Sequence, residues 1–256
     1  MNKPAPNTAT RHDDHLMSLD RVHRTFGALR ALDDVSFDIR RGEVLGVAGP
    51  NGAGKTTLMN ICTGALPITS GQIVFEGHRV DRMPPYRRCQ MGIARTFQIP
   101  HIFSSMSVRE NVALGADFGQ GPRAHGDHDT HISNVLEITG LSNQANAPVT
   151  AANLITRKRI MLAAALATRP RVIFLDEPMA GLNHDEVESF VELFRDLHNA
   201  LDLTLVIVEH KIRALAALSQ RILILNFGSV LTIDTPEKVL ADKAVIDIYL
   251  GTQNLA

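Results

Sequence analysis

One stretch of nine residues has the types and spacing of a loop that binds phosphate groups. It reads Gly49, Pro50, Asn51, Gly52, Ala53, Gly54, Lys55, Thr56 and Thr57, and its first eight residues fill every fixed position of the phosphate-loop pattern. Its glycines allow a tight turn in which successive backbone N–H groups meet phosphate oxygens at the start of a helix. Lys55 would reach the β- and γ-phosphates of a nucleotide, and the Thr56 hydroxyl would ligate Mg²⁺. An ordinary glycine-rich turn is the alternative, which the flanking strand 44–48 and helix 56–63 oppose.

Other polar residues follow two apolar runs further along the chain. Asp176 and Glu177 come directly after the run 172–175, and His210 closely follows the run 203–208. Such runs predict buried parallel strands, whose carboxyl ends form the ligand-binding edge of an open α/β sheet. Asp176 would hold Mg²⁺ directly or from just outside its coordination sphere, Glu177 would polarise an attacking water, and His210 would contact a γ-phosphate. Solvated surface groups are the alternative interpretation of these three residues.

Two further residues could touch a nucleotide. Phe26, upstream of the phosphate loop, could stack on a base, although a core phenylalanine is the alternative. Gln98 follows a strand-like segment, and its amide could sense the nucleotide or its metal, the alternative being a solvated polar residue. His125, His128 and His131 have spacing that could hold a metal. Because they lie in a polar stretch that predicts a solvated loop, no metal ligand is assigned to them.

Composition limits the classes of protein to which the chain can belong. Its 256 residues are 45% hydrophobic and 21% charged, which predicts a soluble protein with one sizeable core. A formal net charge of -1 gives no broad electrostatic reason to bind nucleic acid or an anionic membrane. Cys62 and Cys89 are the only cysteines, as suits the reduced cytosol. No apolar run approaches the ~18 residues of a membrane span, so membrane contact is expected through a partner protein.

The elements that must position these residues predict an α/β fold. We expect a phosphate-loop (P-loop) NTPase core of the RecA-like type, with an antiparallel β subdomain and a helical subdomain inserted at about 99–165. Residues 16–251 would form a single ATPase domain, with a disordered tail at 1–15 and a short tail at 252–256. Strands are predicted at 16–26, 35–40, 44–48, 72–76, 92–97, 172–175, 203–208, 222–225 and 229–233. Helices are predicted at 56–63, after a cap at Asn183 or His184, and from Pro236 to Gly251.

In their order along the chain, these motifs resemble those of an ABC-type ATPase subunit over residues 16–251. By that resemblance, Phe26 is the adenine-stacking aromatic, 49–57 the Walker A loop, Gln98 the Q-loop glutamine, Asp176 and Glu177 the end of Walker B, 180–183 the D-loop, and His210 the switch histidine. The implied cofactors are ATP and Mg²⁺. The implied metal ligands are Thr56, Gln98 and Asp176, and the residues implied in hydrolysis are Glu177, His210 and Gln98.

Several short sequence segments make the resemblance specific to one subfamily. The segments ALRALDDVSF, GIARTFQ and LDEPMAGLN are similar to the branched-chain amino-acid subfamily of importers. That similarity implies a peripheral subunit at the cytoplasmic face of the cell membrane, with membrane permease subunits as partners, a solute-binding protein as an indirect partner and no nucleic acid. The surface that couples to the permease is expected at about 99–111. A soluble ATPase of translation or DNA repair is a further interpretation, but such proteins usually carry paired cassettes or long coiled-coil insertions, and this sequence shows neither.

One stretch departs from the family pattern. Family members carry a Ser-Gly-Gly-Gln signature before a helix, and it contacts the γ-phosphate held by the other subunit of a dimer. The corresponding stretch here, 153–159, has no glycine. Side chains at Ile155 and Thr156 are expected to obstruct close approach of phosphate. The three cations at 157–159 could supply compensating charge or could form a solvated helix start.

The degenerate signature leads to a hypothesis of asymmetry. The phosphate loop of this chain would be competent if a second, non-identical ATPase subunit supplied a normal signature. The partner's nucleotide, which faces 153–159, would be held but hydrolysed poorly. An alternative is a regulatory subunit that closes on ATP with little turnover of its own.

Overall fold

The computed structural model describes residues 15–119 and 125–251. The predicted tails lie outside the described residues, apart from His15, which begins the first strand. The strands are β1 (His15–Phe26), β2 (Leu29–Arg40), β3 (Val44–Ala48), β4 (Ser70–Phe75), β5 (His78–Arg79), β6 (Ile93–Arg95), β7 (Val172–Asp176), β8 (Thr204–Val208), β9 (Arg221–Asn226) and β10 (Ser229–Asp234).

Six of these strands form the central sheet, in the order β10-β9-β3-β8-β7-β6. All neighbours are parallel except β9 and β10. Every residue of β3, β7 and β8 is buried, as expected for apolar strands covered on both faces. Because these three strands are neighbours, the segments that follow them emerge at one edge of the sheet. That edge therefore receives the phosphate loop, Glu177 and His210.

The remaining strands form an antiparallel sheet in the order β2-β1-β4-β5. Its register pairs Leu19 with both Phe37 and Ile73, which joins the strands predicted at 16–26, 35–40 and 72–76. The two sheets together confirm the predicted α/β fold class. The strand β2 begins at residue 29, earlier than the predicted 35, because the turn after Phe26 returns the chain directly into pairing with β1.

Helices cover the sheets and fill the segment between β6 and β7. They are α1 (Lys55–Thr63), α2 (Pro85–Met91), α3 (Val108–Phe118), α4 (His125–Ile138), α5 (Leu154–Ala167), α6 (His184–Leu201), α7 (Ile212–Leu218), α8 (Pro236–Ala241) and α9 (Lys243–Gly251). The predicted insertion at 99–165 contains α3, α4 and most of α5. Asn183 caps α6 through its side chain, which accepts from the backbone N–H of Glu186 at 3.0 Å and confirms the predicted cap. Among the described residues, no helix combines the length and apolar character needed to cross a bilayer.

Two apolar clusters fill the two faces of the central sheet. Strand β3 contributes to both, since Val44 packs into one cluster while Leu45 packs into the other. One cluster joins the sheet to α3, α5 and α6, and the other joins it to α1 and the antiparallel sheet. The central strands are thereby fixed on both sides, so the loops at their carboxyl ends start from a rigid base.

Two predicted segments differ from the structure. The polar stretch predicted as a loop at 119–131 becomes helical from His125, where α4 begins. Residues 120–124 of that stretch lie outside the described residues. His128 pairs with the exposed Asp117 of α3 at 3.0 Å, and His131 bonds the carbonyl oxygen of Ala167 in α5, so each histidine contacts a neighbouring helix. The single C-terminal helix predicted up to Gly251 is instead two, α8 and α9, because the chain becomes extended at Asp242.

Candidate nucleotide-binding site

The predicted phosphate loop, 49–57, joins the buried strand β3 to helix α1. Gly54 has a φ of 104°, and a Cβ there would lie 2.6 Å from the carbonyl oxygen of Ala31. Gly49 is constrained in the same way, because a Cβ would collide with the carbonyl oxygen of Leu225. Glycine alone fits both positions without a clash. The loop can therefore fold closely over the N-terminus of α1, where backbone N–H groups can bind phosphate.

Lys55, the first residue of α1, points back into this loop. Its Nζ donates to the carbonyl oxygens of Gly49, at 2.7 Å, and Pro50, at 2.9 Å. Burial lowers the pKa of Lys55, whereas the nearby carboxylates of Glu177 and Asp176 raise it. The ammonium is thus held inside the curve of the loop, where phosphate oxygens could take the place of the two carbonyl oxygens.

Three predicted polar side chains meet at the sheet edge. The Glu177 carboxylate accepts a hydrogen bond from Gln98 Nε2 at 2.7 Å, and its other oxygen lies 2.9 Å from His210 Nε2. The backbone of Glu177 has a φ of 45°, and its N–H donates to the carbonyl oxygen of Val208 at 3.0 Å. A non-glycine residue in this left-handed region stores backbone strain, which concentrates at functional sites. The chain therefore turns sharply after β7, and the carboxylate meets both partners.

A cavity of about 430 Å³ lies over the loop. Its walls include Phe26, Leu29, residues 51–57, Glu177, His210 and Phe227. Phe26 is 43% exposed, so its interpretation as a core phenylalanine is wrong. The guanidinium carbon of Arg24 lies 4.4 Å from the centre of the Phe26 ring, a cation–π distance. The ring is thus held in place beside a cavity that also contains the phosphate loop.

Asp176, Thr56 and Gln98 have the donor chemistry that Mg²⁺ requires. Asp176 ends β7 and is 8% exposed; burial raises the pKa of its carboxyl group, and Arg95 opposes that rise. Arg95 Nη2 lies 3.6 Å from the Asp176 carboxylate, too far for a hydrogen bond. Thr56 is exposed at the start of α1, and Gln98 uses its amide nitrogen for Glu177, which leaves its oxygen as the possible ligand. Carboxylate, hydroxyl and amide oxygens are hard ligands of the kind that Mg²⁺ prefers, so this donor set fits the ion.

The start of α5 lacks the open backbone of a glycine-rich signature. Asn153 caps the helix, and its side chain accepts from the backbone N–H of Thr156 at 3.0 Å. Ile155 packs partly against the core, and its obstruction of phosphate stays a prediction. The exposed apolar side chain at this helix start is Leu154, at 40%. A capped N–H and an exposed leucine thus replace the free backbone donors that glycines would present.

The interpretation of 157–159 as a solvated helix start is wrong for Lys158. Only Arg157 is exposed, and it donates to the carbonyl oxygen of Ala152. Lys158 is 3% exposed, and burial lowers its pKa while the carboxylates of Glu209 and Glu177 raise it. A signal was present in the sequence, because residue 158 precedes the apolar residues 161 and 162 by three and four positions. That spacing puts them on one helix face.

Two other charged residues near the site, Glu209 and Arg95, make contacts that sequence reasoning did not predict. Glu209 is 2% exposed and accepts from the backbone N–H of Met179 at 2.7 Å. Arg95 Nη1 donates to the Asn60 side chain at 2.7 Å, which joins β6 to α1. Because Glu209 follows the apolar run 203–208, its position at the sheet edge is predicted from the sequence, but its hydrogen-bond partner is not.

Comparisons with known proteins agree with this geometry. A family model described as ABC transporter matches residues 32–180. The high-affinity branched-chain amino acid transport ATP-binding protein LivG of Salmonella typhimurium is 32% identical over 249 residues, which cover 92% of this chain and 98% of that protein. The Fe(3+) ions import ATP-binding protein FbpC of Streptomyces avermitilis is 31% identical, over 94% of this chain and 69% of that protein. The crystal structure of an ATP-binding cassette of an ABC transporter in its ADP conformation has a TM-score of 0.84 at 26% identity, over 93% of this chain and 99% of that one.

Proposed function

This chain belongs to the ABC transporter family, and on that premise we propose that it binds and hydrolyses ATP to energise a membrane importer of amino acids or related small polar solutes. One observation carries the proposal. The Glu177 carboxylate lies within hydrogen-bond distance of Gln98 and His210 and lines the same cavity as the phosphate loop. A base, a polar sensor and a phosphate cradle therefore occupy one site.

Different residues would bind the adenine, the phosphates and the metal ion. Phe26 would stack on adenine at one end of the cavity, and the backbone N–H groups of 49–57 would hold the phosphates at the other. Lys55 would exchange its two carbonyl partners for oxygens of the β- and γ-phosphates. Thr56, Gln98 and Asp176 would hold Mg²⁺, which when bound neutralises charge on the phosphates.

Hydrolysis would take place beside Glu177. Its carboxylate would accept a proton from a water whose oxygen bonds to the γ-phosphorus, while the bond from that phosphorus to the β–γ bridging oxygen breaks. Gln98 would orient the same water, and His210 would stabilise charge on the transferred phosphoryl group. The hydrogen bonds that Glu177 already makes fix its direction before the nucleotide arrives.

The expected permease contact lies next to Gln98. An apolar groove of about 440 Å³ runs between α2, α3 and α5, and its walls include Tyr86, Phe97, Phe103 and Phe118, all of them exposed aromatics. Phe103 lies within the predicted coupling segment 99–111, and Phe97 lies just before it. A helix of a permease subunit would fit this groove, which gives the chain a peripheral place at the cytoplasmic face of the membrane. A solute-binding protein would act through the permease.

Amino acids are the proposed cargo because LivG, which covers nearly the same length, is named for branched-chain amino acid transport. FbpC, at similar identity, is named for iron import. Since FbpC is named for import, and the sequence segments quoted above resemble those of importers, we propose import as the direction of transport here. Uptake of labelled leucine, glutamate and urea by the assembled transporter tests the cargo, and saturable uptake of an amino acid is the expected result.

We expect Phe26→Ala to weaken ATP binding by about 5- to 150-fold, because stacking on an aromatic ring contributes about 1–3 kcal/mol per base. Phe26→Tyr keeps the ring and should bind as the wild type does. Calorimetric titration with Mg-ATP, and with inorganic tripolyphosphate as a ligand without a base, measures the effect. Equal weakening for both ligands would contradict a stacking role.

The helix start at 153–159 supports an asymmetric ATPase pair. Removing one preorganised donor from a transition state costs about 10²–10³ in rate, so a homodimer of this chain should hydrolyse ATP at least ~10²-fold more slowly than a complex with a second ATPase subunit that carries a glycine-rich signature. Steady-state phosphate release from the isolated chain and from the mixed complex measures the difference. Equal rates per site would contradict the asymmetry. The absence of glycine from 153–159 also favours a second candidate, a regulatory subunit, for which turnover in the mixed complex would come from the partner's site alone.

A further inference from the structure

We propose that Lys158 is a positioning residue, which ties helix α5 to the backbones of Gln98 and Glu177 and so couples movement of that helix to the hydrolytic side chains. The inference rests on the proposed function, because it concerns the same site. Lys158 lies in the stretch 153–159. In the family, the corresponding stretch faces the nucleotide of the other subunit, whereas the role proposed here is within this chain's own site.

The contacts of Lys158 all point into this chain's own site. Its Nζ donates to the carbonyl oxygen of Gln98 at 3.4 Å and to that of Glu177 at 3.3 Å. These two residues come from separate loops, and their side chains are hydrogen-bonded to each other at 2.7 Å. One ammonium group therefore spans the two backbones below the side-chain contact.

The environment of Lys158 makes these two bonds important. At 3% exposure the ammonium is almost out of contact with bulk water, and a buried charge without partners is strongly destabilising. The carboxylates of Glu209 and Glu177 are its electrostatic partners. Glu209 is itself buried and accepts from the backbone N–H of Met179, the residue just before the D-loop. Through these contacts, Lys158 and Glu209 connect α5 to the loops that carry Gln98 and Glu177 and to the residue before the D-loop.

The location of Lys158 on α5 gives the coupling a direction. It lies in the first turns of the helix, whose N-terminal residue Leu154 is exposed and whose other side lines the apolar groove through Met161. The Sδ atom of Met161 also accepts from the backbone N–H of Phe97, next to Gln98, at 3.4 Å. A shift of α5 would therefore pull on the segment 97–98 at two points and on Glu177 at one.

The test compares Lys158→Met with Lys158→Arg, using the full chain in the assembled transporter. Lys238→Met is the control, because that ammonium is exposed on helix α8, away from the nucleotide site, and pairs with Asp234. We expect Lys158→Met to lower kcat by about 10- to 100-fold with the Kd for Mg-ATP unchanged within about threefold. Lys158→Arg should recover most of the rate, and Lys238→Met should keep all of it.

A double-variant cycle with Gln98→Ala separates positioning from a structural role. If Lys158 acts through Gln98, the fall in kcat caused by Lys158→Met should be several-fold smaller in the Gln98→Ala background. Independent, multiplying effects would overturn the proposal, as would wild-type turnover by Lys158→Met. If Lys158→Met does not bind Mg-ATP, Lys158→Gln takes its place, and loss of binding in both variants also overturns the proposal.

The two levels of inference fail differently. Wild-type transporter that releases no phosphate contradicts the proposed function and the role of Lys158 with it. Normal turnover by the wild type and by Lys158→Met contradicts the positioning role alone.

Discussion

Glu177→Gln is expected to lower ATP turnover by about 10²- to 10⁴-fold, the contribution typical of a general base, with little change in Mg-ATP binding. The amide keeps the size of the side chain and one oxygen acceptor for Gln98 or His210, but it cannot take a proton from water. Glu177 lines the phosphate-loop cavity and is held there by hydrogen bonds of 2.7 and 2.9 Å. Among the described residues, no other carboxylate lines that cavity, so none is placed to replace it.

Single-turnover measurement in the assembled complex tests this prediction most clearly, because it counts cleavage at bound nucleotide. Glu188→Gln is a suitable control, since that carboxylate lies on the exposed face of α6 and pairs only with His184 among the ion pairs described. The control should turn over as the wild type does. A Glu177→Gln rate within a fewfold of wild type would mean that another group accepts the proton, or that the partner's site carries all the turnover.

Lys55→Met is expected to weaken Mg-ATP binding by about 10²- to 10⁴-fold. Two charge-assisted hydrogen bonds to phosphate contribute about 1.5–3 kcal/mol each, and methionine can make neither. In the protein described here the same ammonium satisfies two carbonyl oxygens of the loop, at 2.7 and 2.9 Å, so its removal also loosens the loop itself.

Equilibrium titration of the full chain with Mg-ATP measures the loss. Lys238→Met serves as the control, because Lys238 lies on helix α8, where its ammonium is exposed and pairs with Asp234 at the end of β10. That variant should bind as tightly as the wild type. If Lys55→Met bound Mg-ATP within about fivefold of wild type, the phosphate loop would not be the site that holds the triphosphate.

Much of the fold was predictable because local patterns decide it. Continuous apolar runs predict the strands β3 and β7, and the glycines of the phosphate loop predict the start of the helix that follows it. These signals are local and do not depend on distant residues. The start of helix α6 was also predictable, because Asn183 and Glu186 are spaced to form a capping box. The C-terminal helix was harder, because Asp242 breaks it without glycine or proline.

The candidate site was predictable residue by residue but not as a set of contacts. Motif spacing places Gln98, Glu177 and His210 after separate strands, yet their meeting depends on the order β3-β8-β7-β6, which the sequence does not reveal. Lys158 shows the same limit more sharply. Three cations in a row suggest solvent; the spacing of residue 158 from the apolar residues 161 and 162 points to the core-facing side of α5, but the contacts of its ammonium depend on how α5 packs.

Calorimetric titration of the purified full chain with Mg-ATP tests the central claim most directly. If Lys55 and the surrounding backbone amides bind the triphosphate, the titration should show a single saturable transition with one nucleotide per chain. That transition should persist in Glu177→Gln and be lost in Lys55→Met. Absence of a saturable transition for the folded wild-type chain, or undiminished binding by Lys55→Met, would contradict the account.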